Sequence, residues 1–140
     1  VTASIRPFAR ADAEAVVALW REVGLTRPWN DPFRDIERKL TQQPELFVVA
    51  ECEGEILGTV MAGFEGHRGW MNYLAVSPAA RGTGLGRRLV EHVEVALERV
   101  GCPKLSLQVR SSNAEVLKFY EHLGYGVDDV ISMGKRLIAD

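Results

Sequence analysis

The chain has almost nothing to hold it together covalently: among 140 residues there are two cysteines, Cys52 and Cys102. They form neither a Cys-x-x-Cys pair nor a His/Cys spacing suited to metal, so no disulfide framework and no zinc site are indicated. A reducing cytoplasm is the expected location. An excess of one charge is also missing. Seventeen basic against nineteen acidic residues leave a net charge of −2, which supplies no broad field for nucleic acid or anionic lipid. No apolar run approaches the roughly 18 residues that cross a bilayer, and the first residues lack the basic-then-apolar layout of a signal peptide. The chain starts at Val1 rather than Met, so a few residues are expected to be missing before it. Repeats, low-complexity tracts and linkers are lacking too. What remains is a single domain expected over 1–140, whose 46% apolar content suffices for a core.

Local pattern gives the elements. Ala3 to Phe8 alternates loosely and reads as a strand ended by Pro7. Asp12 is placed to cap a helix in which Ala15, Val16, Leu19, Trp20 and Val23 recur at helical spacing, and Gly24 ends it. Asp31-Pro32 starts a short helix through Leu40, which Pro44 stops. Leu46 to Glu51 and Ile56 to Phe64 read as a hairpin joined at Glu53-Gly54-Glu55, followed by a strand from Trp70 to Val76. A helix with its apolar stripe on Leu85, Leu89, Val93, Ala96, Leu97 and Val100 comes next. Leu105, Leu107 and Val109 alternate as a half-buried strand, Asn113 caps a helix closed by Gly124, and Val130 to Ile138 reads as a last β segment interrupted at Gly134. Strands and helices do not alternate throughout, which excludes a doubly wound Rossmann sheet.

Between a strand and a helix lies Arg81-Gly82-Thr83-Gly84-Leu85-Gly86-Arg87-Arg88. Glycines at alternate positions let main-chain N–H groups crowd around one anion, and the helix N-terminus adds about half a positive charge. The stretch therefore reads as a phosphate cradle. A Walker loop would end in Gly-Lys-Ser/Thr, whereas Arg87 and Arg88 follow Gly86. The dinucleotide fingerprint fails as well, because its third glycine would fall at Arg87 or Leu89.

What fits is Arg/Gln-x-x-Gly-x-Gly/Ala, and here the chain resembles the GNAT superfamily of acyl-CoA-dependent N-acetyltransferases. A second stretch, Asn113 to Tyr120 followed by Glu121-His122-Leu123-Gly124-Tyr125, resembles that superfamily's Asn-x-x-Ala-x-x-Phe-Tyr-x-x-x-Gly-Phe/Tyr segment about thirty residues later. Arg27-Pro28-Trp29-Asn30-Asp31-Pro32 with Gly66-His67-Arg68-Gly69 is similar to the bacterial YpeA type within it. The resemblance implies an α/β GNAT acyl-CoA N-acyltransferase fold: a mixed, mostly antiparallel sheet splayed at the cofactor strand and flanked by about four helices. It also implies acetyl-CoA as co-substrate, with no metal. Arg81, Gly82, Thr83, Gly84, Leu85, Gly86 and Arg87 would then hold the pyrophosphate. The strand Leu74-Ala75-Val76 would meet the pantetheine arm through its main chain, Leu74 and Val76 polarising the thioester, and Asn113 would contact the same arm. Val116 stands where the superfamily has a smaller alanine.

Acyl transfer further requires protonation of the leaving thiolate and deprotonation of the amine. For the first, the resemblance points to Tyr120, whose ordinary pKa of about 10 lies near that of a thiol at about 8.5. For the second, Glu65 and His67 lie in the Gly63-to-Gly69 loop joining two central strands, and a water relay is the third option; the sequence does not choose among them. His92 and His122 read as surface residues. Trp29, Asn30 and Asp31 are candidate acceptor contacts on the side covered by the first two helices, with Asp31 able to attract a cationic amine or simply to cap its helix. The resulting expectation is transfer of an acetyl group to a primary amine of a small molecule or protein, by direct attack in a ternary complex. The alternatives are an N-terminal acetyltransferase of ribosomal-protein type and a non-catalytic CoA-binding module. A homodimer is common in the superfamily.

Overall fold

Glu53 and Gly54 both take positive φ, +50° and +82°, which is what a two-residue hairpin turn needs to match the twist of its strands. They join β2 (Phe47–Cys52) to β3 (Glu55–Phe64), as the sequence predicts. The computed structural model describes residues 2–140. Its remaining elements are β1 (Ser4–Pro7), α1 (Ala13–Glu22), α2 (Pro32–Lys39), β4 (Gly69–Val76), α3 (Leu85–Arg99), β5 (Leu105–Ser106) and α4 (Ala114–His122). They fall into two units: the chain up to Leu107 together with Asp140, and Gln108–Ala139.

The first unit is a five-stranded sheet in the order β1-β2-β3-β4-β5. The first three pairings are antiparallel and β4–β5 is parallel. One face is covered by α1 and α2. On α1 the buried residues Val16, Val17, Leu19 and Trp20 form one helical stripe, which packs with Ile36, Phe47, Met61 and Ala75. Each such side chain contributes about 1.5–3 kcal/mol on burial. On the opposite face Gly58 lets α3 approach closely, because a Cβ there would lie 2.9 Å from Leu89 Cδ1 and 3.1 Å from the Ala75 carbonyl. Gly69 does the same at the other end of the sheet, where a Cβ would lie 2.7 Å from Cys102 Sγ.

Asp12 stands at the N-cap position of α1, as expected, but its side chain makes no cap there. Its carboxylate turns back to accept from the Ala9 N–H at 2.8 Å and from both Nη atoms of Arg6, and the Arg6 hydrogen bonds hold its carboxyl below the usual range. A charged fork outcompetes a helix N–H as a partner. The strand expected at Leu105, Leu107 and Val109 pairs only at Leu105 and Ser106.

In the second unit Asn113 caps α4, its side chain accepting from the Val116 N–H at 3.3 Å. Gly124, at φ +93°, follows the helix end. The last β segment expected over Val130 to Ile138 is irregular chain instead, and Val130, Ile131, Met133, Leu137 and Ile138 are exposed. A run of β-forming residues becomes a strand only where a neighbouring ladder takes up its main-chain groups.

Candidate functional site

The glycine-rich turn has the conformation that its composition predicts. Gly82 and Gly84 sit at φ +76° and +82°, the left-handed region that costs other residues about 1–2 kcal/mol. Gly84 is the N-cap of α3 and makes no side-chain cap. The first-turn N–H groups are thereby left for an outside acceptor, at the positive end of a 15-residue helix. Residues 81–84 and Arg87 are exposed, while Leu85 is buried and anchors the helix start to the sheet. Arg87 pairs through Nε with Glu91 at 2.8 Å. Arg88 reaches down to the Ala3 carbonyl at 2.8 Å.

Beside this turn, β4 offers a main-chain edge. Its pairing to β5 is confined to Gly69 and Trp70, so among the described residues the edge from 71 to 76 has no strand partner on that side. The Ser77 N–H donates to the Leu57 carbonyl at 2.8 Å and thus points toward β3. Successive peptide groups alternate along a strand, so the N–H and C=O of Val76 and of Leu74 point away from β3, to the open edge. Ala75 faces β3 with its main chain and is buried in the core.

The edge is also kinked. Thr59 pairs with Ala75 and Met61 with Asn72, so Val60 stands opposite two residues, Tyr73 and Leu74, which is a β-bulge. Tyr73 lies at φ +52°. Such a conformation in a bulky residue costs about 1–3 kcal/mol and persists only where the surroundings enforce it. Sequence reasoning did not single out Tyr73, Thr59, Trp20 or Asp35 as functional. The only local signal was a threonine inside the apolar run from Ile56 to Phe64.

Tyr120 belongs to the second unit, buried on α4 with its ring edge-on to Phe119 and Tyr125 at centroid distances of 5.1 and 5.6 Å. Burial pushes its phenol up to about 12. The group is fully protonated at neutral pH and is a weaker acid than an ordinary tyrosine, so the near match to a thiol seen in the sequence narrows to the protonation state alone. Asn113 caps the same helix.

Asp31 caps α2, accepting from the Phe33 N–H at 2.9 Å, and Trp29 beside it is exposed. Asn30 ends the turn from Arg27, its N–H donating to the Arg27 carbonyl at 3.1 Å. These three residues lie on one connection, as the sequence suggests. Glu65 and His67 are set apart from the edge. They occupy the turn beyond the Phe64–Gly69 pair, and the six steps along the strand from Gly69 to Ala75 span about 20 Å. The Glu65 carboxylate closes its own turn, accepting from the N–H groups of Arg68 and His67, which hold it below the ordinary carboxylate range. Among the described residues no three His, Cys, Asp or Glu side chains are grouped to hold a metal, and no helix is long and apolar enough to cross a membrane.

The sequence matches the model of the acetyltransferase (GNAT) family over residues 13–125. An acetyltransferase of Pectobacterium atrosepticum is 52% identical over 136 residues, covering 97% of this chain and 96% of the relative. Among solved structures, glucosamine-6-phosphate N-acetyltransferase from Arabidopsis thaliana is 25% identical, with a TM-score of 0.72 over 99% of this chain and 100% of that one. AAC(6')-Iy, in complex with the bisubstrate analog CoA-S-monomethyl-acetylneamine, gives a TM-score of 0.79 at 19% identity, over 97% and 99% of the two chains. That last likeness is one of fold.

Proposed function

Because the chain belongs to the acetyltransferase (GNAT) family, we propose that it transfers the acetyl group of acetyl-CoA to a primary amine by direct attack in a ternary complex. One observation carries the reading: the outward main-chain groups of Leu74 and Val76 lie on an unpaired strand edge that leads into an uncapped, glycine-rich helix start. Leu85, Gly86 and Arg87 at that start, with Gly82, Thr83 and Gly84 before them, offer N–H groups to a diphosphate, and Arg81 and Arg87 add charge. Leu74 and Val76 pair with the amide-bearing arm, and a main-chain N–H meets the thioester oxygen where negative charge develops. Asn113 contacts the arm while capping α4. The family match runs across both units, which supports reading 1–140 as one transferase domain.

In the reaction the amine nitrogen bonds to the carbonyl carbon and the C–S bond breaks. Water carries off the amine proton, since Glu65 is already engaged by its own turn. Tyr120, kept protonated by burial, gives its proton to the departing sulfur and regains one from water. Trp29, Asn30 and Asp31 contact the acceptor. The relatives are bacterial acetyltransferases, which supports reading this chain as a bacterial enzyme; we propose a cytoplasmic location and a small or protein-borne acceptor amine.

The test is release of CoA thiol across a panel of amines, with mass spectrometry of the products and Tyr120→Phe as control. Turnover of at least one amine, with kcat in the variant lowered about 100-fold at nearly unchanged KM, supports the reading. Tight CoA binding without turnover of any amine would replace it with a CoA-binding module. Acetylation confined to peptide N-termini would narrow the acceptor to protein chains.

A further inference from the structure

Tyr73 is held at three points by three different elements. From β3, the fully buried Thr59 donates its hydroxyl to the Tyr73 carbonyl at 2.8 Å. From α1, Trp20 stacks on the Tyr73 ring with centroids 3.8 Å apart and planes 13° apart. From α2, Asp35 Oδ2 accepts the Tyr73 phenol at 2.6 Å. A fourth contact links two of these, since Trp20 Nε1 donates to Thr59 Oγ1 at 2.9 Å.

The direction of each bond follows from the chemistry of the groups. An indole N–H can only donate and a hydroxyl has one proton. Thr59 must therefore accept from Trp20, and its single proton goes to the Tyr73 carbonyl. Trp20 fixes the rotor of Thr59, and Thr59 fixes the carbonyl. That carbonyl shares its peptide plane with the Leu74 N–H, and in a trans peptide the two point in opposite directions. Pinning the Tyr73 oxygen toward β3 thus aims the Leu74 N–H at the open edge of β4.

We propose that Thr59 is a positioning residue for acetyl transfer, with Trp20 orienting its hydroxyl: through the Tyr73–Leu74 peptide it holds the Leu74 N–H where the thioester oxygen gains charge. The proposal rests on the transferase reading above. A donor aimed before the reaction gains most of its effect from being fixed, since no reorganisation is then needed as charge develops. The bulge alone does not fix that plane. The left-handed Tyr73 would relax if its carbonyl lost its donor, and the N–H would swing with it.

The test compares Thr59→Val, which keeps the shape and deletes the hydroxyl, with Thr59→Ser, which keeps the hydroxyl. Steady-state rates, calorimetric CoA affinity and the backbone chemical shifts of Tyr73 and Leu74 are read for both. The expected result is a fall in kcat of roughly 10–100-fold for Thr59→Val, within the range for losing one oriented donor. CoA affinity should stay within about threefold and the Tyr73 shifts should leave their left-handed values, while Thr59→Ser restores rate and shifts. Equal losses in the two variants, an undiminished kcat in Thr59→Val, or unchanged Tyr73 shifts would each overturn the proposal. If the wild type acetylates no amine, the transferase reading fails by itself, and the Tyr73 and Leu74 shifts still decide whether Thr59 sets the peptide. Should Thr59→Val not fold, Trp20→Phe keeps a stacked ring and frees the hydroxyl rotor. Its kcat should fall about 3–10-fold, and no change would refute the proposal.

Discussion

The two ends of the β3–β4 hairpin make an instructive contrast. At one end Glu65 and His67 provide titratable side chains in an exposed turn, and the Glu65 carboxylate accepts from that turn's own N–H groups. At the other end the bulge at Tyr73 and Leu74 offers nothing but main chain, yet Tyr73 is gripped by the buried Thr59 of β3 and Trp20 of α1 and by the half-buried Asp35 of α2. Reactive side chains are cheap to place and easily mislead. A peptide held in a costly conformation by three elements is far harder to account for by folding alone.

Four experiments put this contrast to the test. The largest effect is expected from replacing the Tyr73–Leu74 amide by an ester, using the α-hydroxy analogue of leucine. This removes one N–H and almost no volume, and kcat should drop about 100–1,000-fold; a normal rate would place the chemistry elsewhere. Gly84→Val comes next, because φ +82° admits β-branched side chains poorly. The strain of about 1–2 kcal/mol should weaken CoA about 5–30-fold by calorimetry, with the sheet unaffected. Third, burial raises the Tyr120 pKa from 10.0 to about 12, so folding favours the neutral phenol. Its contribution of about 2–3 kcal/mol is whole below pH 10 and is lost as pH climbs from 10 toward 12. In urea melts wild type should therefore lose about 2–3 kcal/mol relative to Tyr120→Phe as pH rises from 10 to 12, whereas a constant difference would show a phenol that titrates normally. The smallest effect is expected from Glu65→Gln, where kcat/KM should change less than about threefold. A loss above tenfold would return the base to the turn.

The sequence disclosed what is local. The left-handed glycines at 82 and 84, the Glu53-Gly54 turn and most of the apolar stripes of α1 and α3 depend on residues within a few positions of one another and are present in the structure, although Ala15 and Val100, read as stripe residues, are exposed. The bulge depends on Thr59 and Trp20, 14 and 53 positions from Tyr73 in the numbering, and a tyrosine gives no hint of a left-handed backbone. Asp12 holds the N-cap position without a side-chain cap because Arg6, six residues back on the preceding strand, is the stronger partner. Leu107 and Val109 alternate, and the 130–138 segment is rich in β-forming residues, yet neither has a ladder, a property of partners that no window of sequence contains. Asn113 was legible as a cap because capping is decided within three residues.

The contact between Gly69 and Cys102 bears on how turnover is measured. Only a hydrogen separates the glycine from the sulfur's space, and β5 meets β4 at that same residue. Cys52 and Cys102 are both free and partly exposed, so disulfide reagents that colour liberated coenzyme thiol can be consumed by the protein as well, and an adduct on Cys102 would crowd Gly69 where β5 meets β4. A chromatographic readout of the liberated thiol separates that side reaction from turnover.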